Sequence, residues 1–275
     1  MKIQFLGTAA AEGIPALYCQ CDVCKEANEK RGRFIRSRCQ TLINDDLLLD
    51  FGPDTYYHML TYQVPLDRIH HVLITHNHSD HFYSNELCFR RKGYASKVEE
   101  EPLFVYGADS VYQEALRVIK SENMEQYVQA RFVQPFESFQ IKDYTIIPLK
   151  ANHDKNAGPL NYIIRQNDKT ILYAHDTGYY SEEVWKFLEK LYIHFDLISL
   201  DCTAGLLTNW KDHHLSFDCF LEVIERLKEM KLIDQHTKIM ANHFSHNGQA
   251  GYEKMRENAL KHHVEVTYDG MIIEI

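Results

Sequence analysis

Between Thr75 and His81 the chain reads THNHSDH, which sets His76, His78, Asp80 and His81 within six positions, directly after the apolar run Val72, Leu73 and Ile74. This pattern limits the fold tightly, because four candidate ligands must leave the end of one buried strand and converge. Histidines at i and i+2 on extended backbone point to the same side, so His76 and His78 can grip one ion. Asp80 and His81 lie past the turn and can reach a neighbouring second ion. Mixed imidazole and carboxylate donors suit Zn, Mn or Fe better than Ca or Mg.

Three more residues end apolar strands in the same way: His153 in LKANHD, Asp176 in LYAHDTG and His243 in IMANHFS. Together with the first cluster they make seven candidate ligands. His175, beside Asp176, points to the opposite face if the strand continues, and stays outside the set.

Gathering ligands from distant strand ends requires a sizeable core, and 275 residues with 45% apolar and 25% charged side chains can supply one. The length fits a single domain spanning residues 1–275. A formal net charge of −9, with all 16 histidines neutral, argues against a general nucleic-acid binder. No apolar run approaches the roughly 18 residues of a membrane span. The opening MKIQFLGTAAAEG is too short in its apolar part for a secretory signal, so a cytoplasmic location is expected.

Strands are expected at Ile3 to Gly7, at Gln40 to Asn44 and Leu47 to Phe51 as a hairpin turning at Asp45 and Asp46, and at Arg68 to Thr75. The second half repeats the style with Tyr144 to Leu149, Leu160 to Arg165, Thr170 to Ala174, Asp196 to Leu200 and Lys238 to Ala241. In Ser216 to Met230, Phe217, Phe220, Leu221, Ile224 and Leu227 recur at helical spacing, with Ser216 as N-cap. Asp269 and Gly270 suggest a closing hairpin, and the polar stretch from Lys92 to Pro102 an excursion. Hairpins first and helices later, twice over, imply two packed sheets with helices on both outer faces.

Seven cysteines form an odd set, and Cys19, Cys21 and Cys24 crowd into CxCxxC in a loop at about residues 16–30. Such spacing offers three corners of a tetrahedral zinc rather than a disulfide framework. Cys39, Cys88, Cys202 and Cys219 read as free thiols scattered along strands.

The pattern HxHxDH followed at growing intervals by His153, Asp176 and His243 resembles the metallo-β-lactamase superfamily of binuclear hydrolases, from FLGT at Phe5 to the final hairpin. The resemblance implies a four-layer αββα sandwich. It places His76, His78 and His153 on one metal, Asp80, His81 and His243 on the other, and Asp176 between them. Asp50, in LLLDFG, matches an acid that buttresses the histidine loop, with a helix cap as the alternative. Two such cations, roughly 4 Å apart, lower the pKa of a shared water from about 15.7 toward about 7 and neutralise the attacked group.

Within that superfamily the cysteine loop combined with NHFSH resembles the PhnP-like phosphodiesterases, in which the second histidine of a THxSH motif completes a structural zinc. His246 is the matching residue, and Asn242 stands where threonine is usual. The PqqB-type proteins share the cysteine loop but lack the intact histidine cluster that this chain keeps. The resemblance implies hydrolysis of a small anionic phosphodiester, 5-phosphoribosyl 1,2-cyclic phosphate in that family. A histidine near a helix start assists the leaving oxygen. His214 in KDHHLSF is favoured for this role over His213, with Asp201 to orient it.

A tRNA-processing endonuclease shares the metal pattern, but the basic surface and Gly/Pro-rich arm it would want are not visible. A lactone or thioester hydrolase is chemically compatible with the same metals, and a metal-binding module without catalysis does not require all seven ligands. Arg33, Arg36, Arg38, Arg90 and Arg91 are the candidates for binding an anionic substrate, and a homodimer is left open.

Overall fold

A computed structural model describes residues 1–98 and 100–275. The first sheet holds β1 (Lys2–Gly7), β2 (Gln40–Ile43), β3 (Leu47–Leu49), β4 (His71–Leu73), β5 (Leu103–Gly107), β6 (Val128–Phe132) and β14 (Met271–Glu274), in the order β14-β1-β2-β3-β4-β5-β6. The second holds β7 (Phe139–Ile141), β8 (Tyr144–Lys150), β9 (Leu160–Gln166), β10 (Lys169–Ala174), β11 (Leu197–Asp201), β12 (Lys238–Asn242) and β13 (Glu265–Val266), in the order β13-β12-β11-β10-β9-β8-β7. Helices α1 (Asp22–Lys30), α2 (Thr55–Tyr62), α3 (Asp109–Ser121), α4 (Glu182–Lys190), α5 (Phe217–Glu229) and α6 (Tyr252–Leu260) connect them.

Both sheets are mixed in the same way. Pairing is antiparallel from β14 through β1 and β2 to β3, then parallel from β3 to β6. It is antiparallel from β7 through β8 and β9 to β10, then parallel from β10 to β13. β1, β3, β4, β8, β10, β11 and β12 therefore send their C-terminal ends to the edges from which the candidate ligands leave.

The packing follows from period-two alternation. Leu47 and Leu49 of β3 face Ile171 and Tyr173 of β10 in the core between the sheets. Leu48 and Val72 turn outward onto Val111, Ala115, Val118 and Ile119 of α3. Leu172 and Ala174 turn outward into a third cluster with Trp185 of α4, Phe220, Val223, Ile224 and Leu227 of α5, and Met255 of α6. Burying each such large apolar side chain stabilises the fold by roughly 1.5–3 kcal/mol. This is the four-layer metallo-β-lactamase sandwich.

Several expectations need correction. The Asp269–Gly270 turn joins no hairpin: β13 pairs with β12 in one sheet and β14 with β1 in the other, so the turn crosses between layers. Asp-Gly signals a reversal of the chain but not the partner of the strand that follows. The β2–β3 turn centres on Asn44 and Asp45, both left-handed, rather than on Asp45 and Asp46. Only His71–Leu73 of the expected fourth strand pairs as a strand. Ser216 precedes α5 as expected, but its hydroxyl does not cap the helix; it bonds to Asp218 and the Trp210 backbone. Cys219 lies on α5 and Cys88 in a short 3-10 turn, so the free thiols do not follow strands. Of the polar excursion, Glu99 lies outside the described residues.

Candidate metal centre

All seven candidate ligands meet at the strand ends. His76 Nε2 lies 2.9 Å from His78 Nδ1, and His153 Nε2 lies 3.3 Å from the same nitrogen. On the other side His243 Nε2 lies 3.4 Å from His81 Nε2, and Asp80 Oδ2 lies 3.2 Å from it. Asp176 stands between the sets: its Oδ2 is 2.6 Å from His81 Nε2 and 3.9 Å from His76 Nε2, and its Oδ1 is 3.8 Å from His153 Nε2. Asp50, Asp176 and His243 all leave their strands in the left-handed region, which turns each side chain off its strand's alternation and into the centre.

The outward nitrogens are held by a supporting layer. Asp50 is fully buried; its Oδ1 accepts the Thr75 amide at 2.8 Å and hydroxyl at 2.9 Å, and its Oδ2 accepts His81 Nδ1 at 2.7 Å. With its one proton given to Asp50, the Thr75 hydroxyl can only accept from His76 Nδ1, 3.0 Å away. Asp50 thus buttresses the loop, while Asp54, not Asp50, occupies the N-cap of α2. On the second sheet Asp201 accepts the amides of Thr203 and Leu215, each at 3.0 Å, and His214 Nδ1 lies 3.2 Å from its Oδ2. His78 Nε2 faces Asp154 at 3.4 Å, and the His213 carbonyl accepts His153 Nδ1 at 3.3 Å. Sequence reading missed the parts played by Thr75, Thr203 and Asp154; for Asp154 adjacency to His153 was the available signal.

These residues fit divalent cations. Asp176 Oδ2 is buried and has no hydrogen-bond donor in proper geometry among the described residues, although two imidazole nitrogens crowd it. Burial pushes His76 and His153 below the usual imidazole range, so both present lone pairs rather than protons. Asp50, Asp80 and Asp176 surround His81, a density of negative charge that calls for cations. His76, His78 and His153 would hold one ion, Asp80, His81 and His243 another, and Asp176 reaches both sets. His175 stays out, bonded to Ser199 at 2.7 Å and to Cys39 Sγ at 3.1 Å.

At the centre opens a cleft of about 510 Å³, whose lining includes Ala11, Glu12, Leu207 and Trp210. His214 lines it and His213 does not. Burial opposes a charged His214, but the Asp201 carboxylate, helped by Asp176, outweighs it and pushes the imidazole up to about 9. Among the described residues no arginine or lysine lines the cleft, so the five arginines named as candidates for anion binding stand outside it. Arg36 is buried on Thr8 and the Thr267 carbonyl, Arg38 pairs with Asp54, Arg91 with Glu122, Arg90 bonds His70, and Arg33 stacks on Tyr268.

The second candidate metal site lies beside the cleft. The donor atoms of Cys19, Cys21, Cys24 and His246 all fall within 4.8 Å of one another. His246 Nδ1 stands 3.4 Å from Cys19 Sγ and 3.5 Å from Cys21 Sγ. The segment is not all loop: Cys21 is the N-cap of α1 and Cys24 lies in its first turn, so the two share a helix face three residues apart. Extended Phe244 and Ser245 separate His243 from His246, which lets each histidine serve its own site. Glu12, which also lines the cleft, accepts the Ser245 hydroxyl and lies 3.6 Å from His246 Nε2.

The family model described as the beta-lactamase superfamily domain matches residues 46–237, well over half the chain. The chain belongs to this superfamily. Among solved structures, Zn(2+)-bound PqqB from Methylobacterium extorquens is similar with a TM-score of 0.74 at 18% identity, over 100% of both chains. A new diphosphatase from the PhnP family is similar with a TM-score of 0.73 at 18% identity, over 100% of this chain and 98% of that one. Likeness at this identity establishes the fold. A ribonuclease Z of Acaryochloris marina (strain MBIC 11017) is 26% identical over 171 residues, 62% of this chain and 49% of the relative. The chain spans about half the length of that curated relative. Among the described residues, no helix is long and apolar enough to cross a membrane.

Proposed function

We propose that this chain is a binuclear metal-dependent hydrolase of small, cyclic phosphodiesters, using Zn or Mn. One juxtaposition carries the reading: two ligand triads share Asp176, and His214, braced by Asp201, opens onto the same cleft. When bound, the two ions would supply Lewis acidity and an acidified water.

The chain's own residues supply the rest. Asp50 and Asp201 fix the ring orientations, so little reorganisation is needed as charge develops. With Nδ1 turned toward Asp201, the Nε2 of His214 is the atom available to give a proton to the departing oxygen. Asp176, walled in by imidazoles, stays ionised. A diphosphatase and a ribonuclease Z among similar proteins favour phosphate chemistry over lactone or thioester hydrolysis. The acidic net charge, and a cleft lined among the described residues by no arginine or lysine, weigh against RNA as substrate. The thiol cluster would hold a structural zinc.

The test is a substrate panel with Mn-loaded and Zn-loaded protein: bis(p-nitrophenyl) phosphate, cyclic phosphodiesters, a precursor tRNA, a lactone and a thioester. The small diesters should be turned over and the lactone and thioester should not. Preference for the lactone, the thioester or the tRNA would overturn the reading.

A further inference from the structure

The loop between β11 and α5 places Leu207 and Trp210 in the wall of the cleft before it delivers His214. Trp210 is 52% exposed, whereas the other tryptophan, Trp185, is buried against Tyr179 and Tyr180. The Trp210 backbone is pinned: its amide donates to Ser216 Oγ at 3.1 Å, and its carbonyl accepts the Ser216 amide at 2.8 Å. The preceding Asn209 amide donates to Asp218 Oδ2 at 2.9 Å. The start of α5 thus fixes the base of an exposed indole four residues from His214, a ready face for a planar ring.

The charge of the lining limits the rest of the substrate. Among the described residues, Glu12, Asp80 and Asp176 are its charged side chains besides the histidines. Arg38 is committed to Asp54 and to the Ala11 carbonyl, and Lys211 faces Glu222. The scissile phosphate has the metal centre to meet its single charge. A second, dianionic phosphate in the cleft would meet Glu12, while the His214 imidazole is already taken up by Asp201.

We infer that the substrate carries a planar, nucleobase-sized ring that stacks on Trp210, and that it bears no second phosphate. Its class is a nucleoside cyclic phosphodiester, not the phosphorylated sugar that the family resemblance implies. This rests on the phosphodiesterase reading. In the reaction, water's oxygen forms the new bond to phosphorus, one ester P–O bond breaks, and the departing oxygen takes a proton. The products are a phosphomonoester and an alcohol on one nucleoside.

The experiment compares kcat/KM of metal-loaded protein on a nucleoside 2′,3′-cyclic phosphate, on methyl riboside 2,3-cyclic phosphate lacking the base, and on 5-phosphoribosyl 1,2-cyclic phosphate. The nucleoside should lead both others by at least about ten-fold, the size that stacking of a base on an aromatic ring supplies. Trp210→Ala should remove that lead, losing about ten-fold more on the nucleoside than on the base-free diester, and Trp210→Phe should keep most of it. The product nucleoside monophosphate should quench the exposed tryptophan fluorescence of the parent and not of Trp210→Phe. Equal rates on nucleoside and base-free diesters, a lead that survives Trp210→Ala, or preference for the phosphorylated sugar overturns the inference and leaves the phosphodiesterase reading intact. A folded, metal-loaded protein that hydrolyses none of the diesters overturns both.

Discussion

Thr75 and Thr203 do the same work on the two sheets. The Thr75 hydroxyl lies 2.9 Å from Asp50 Oδ1 and 3.0 Å from His76 Nδ1; the Thr203 hydroxyl lies 3.0 Å from Asp201 Oδ2 and 2.8 Å from His243 Nδ1. Each threonine stands two residues past the end of β4 or β11, the strands that hold the same place in their sheet orders. Each hydroxyl has one proton, given by Thr75 to Asp50 and shared by Thr203 between Asp201 and the His243 carbonyl at 2.8 Å, so each must accept from the imidazole, which leaves Nε2 of both histidines free to face a metal.

Replacing either threonine by valine keeps the shape and removes the relay. Thr203→Val leaves a buried imidazole N–H without an acceptor and frees the tautomer of His243. Active-site metal affinity should fall about 10- to 100-fold, as loss of such supporting contacts does elsewhere. Chelator competition reads this directly, and an affinity within two-fold of the parent would remove Thr203 from the account.

His213 and His214 are adjacent, yet only His214 lines the cleft, while His213 meets the site through its backbone carbonyl and an edge-on contact of its ring with that of His153. His214→Ala should keep its metals and lose about 10² to 10⁴ in rate, less with a p-nitrophenolate leaving group that scarcely needs a proton. His213→Ala retains the carbonyl and should lose far less. A steeper loss for His213→Ala than for His214→Ala contradicts the assignment.

The thiol cluster joins the N-terminal segment to the chain beyond β12. A closed four-ligand zinc site has no open position for water and serves the fold. Cys21→Ser should lose about one zinc and melt at lower temperature, yet turn over substrate when folded in the cold. Retention of the full zinc content, or a Tm equal to the parent's, would leave these cysteines as ordinary thiols.

Much of this centre is legible in the sequence because its ligands sit beside strong local signals. THNHSDH needs no tertiary knowledge to be noticed, and His153, Asp176 and His243 each end an apolar run. The two-sheet sandwich follows from those same runs. What stays hidden depends on non-local pairing or on burial. The partners of β13 and β14 are set by inter-sheet packing, not by the Asp269–Gly270 turn between them. Thr203 gains its meaning only once β11 and β12 are parallel neighbours. Arg36 looks like a surface charge until Thr8 and Thr267 enclose it. Helix α1 has a polar sequence, Asp22–Lys30, whose only buried residues are Cys24 and Ala27, so no apolar stripe announces it.

If Asp176 joins two ligand triads into one binuclear centre, metal content shows it most directly. Elemental analysis of the loaded parent should find three divalent ions per chain, two at the active site and one at the cysteines. Asp176→Ala should lose at least one active-site ion, keep the zinc of the thiol cluster, and fall by orders of magnitude in diester hydrolysis. An Asp176→Ala protein that retains all three ions and the parent's diester activity would contradict the account.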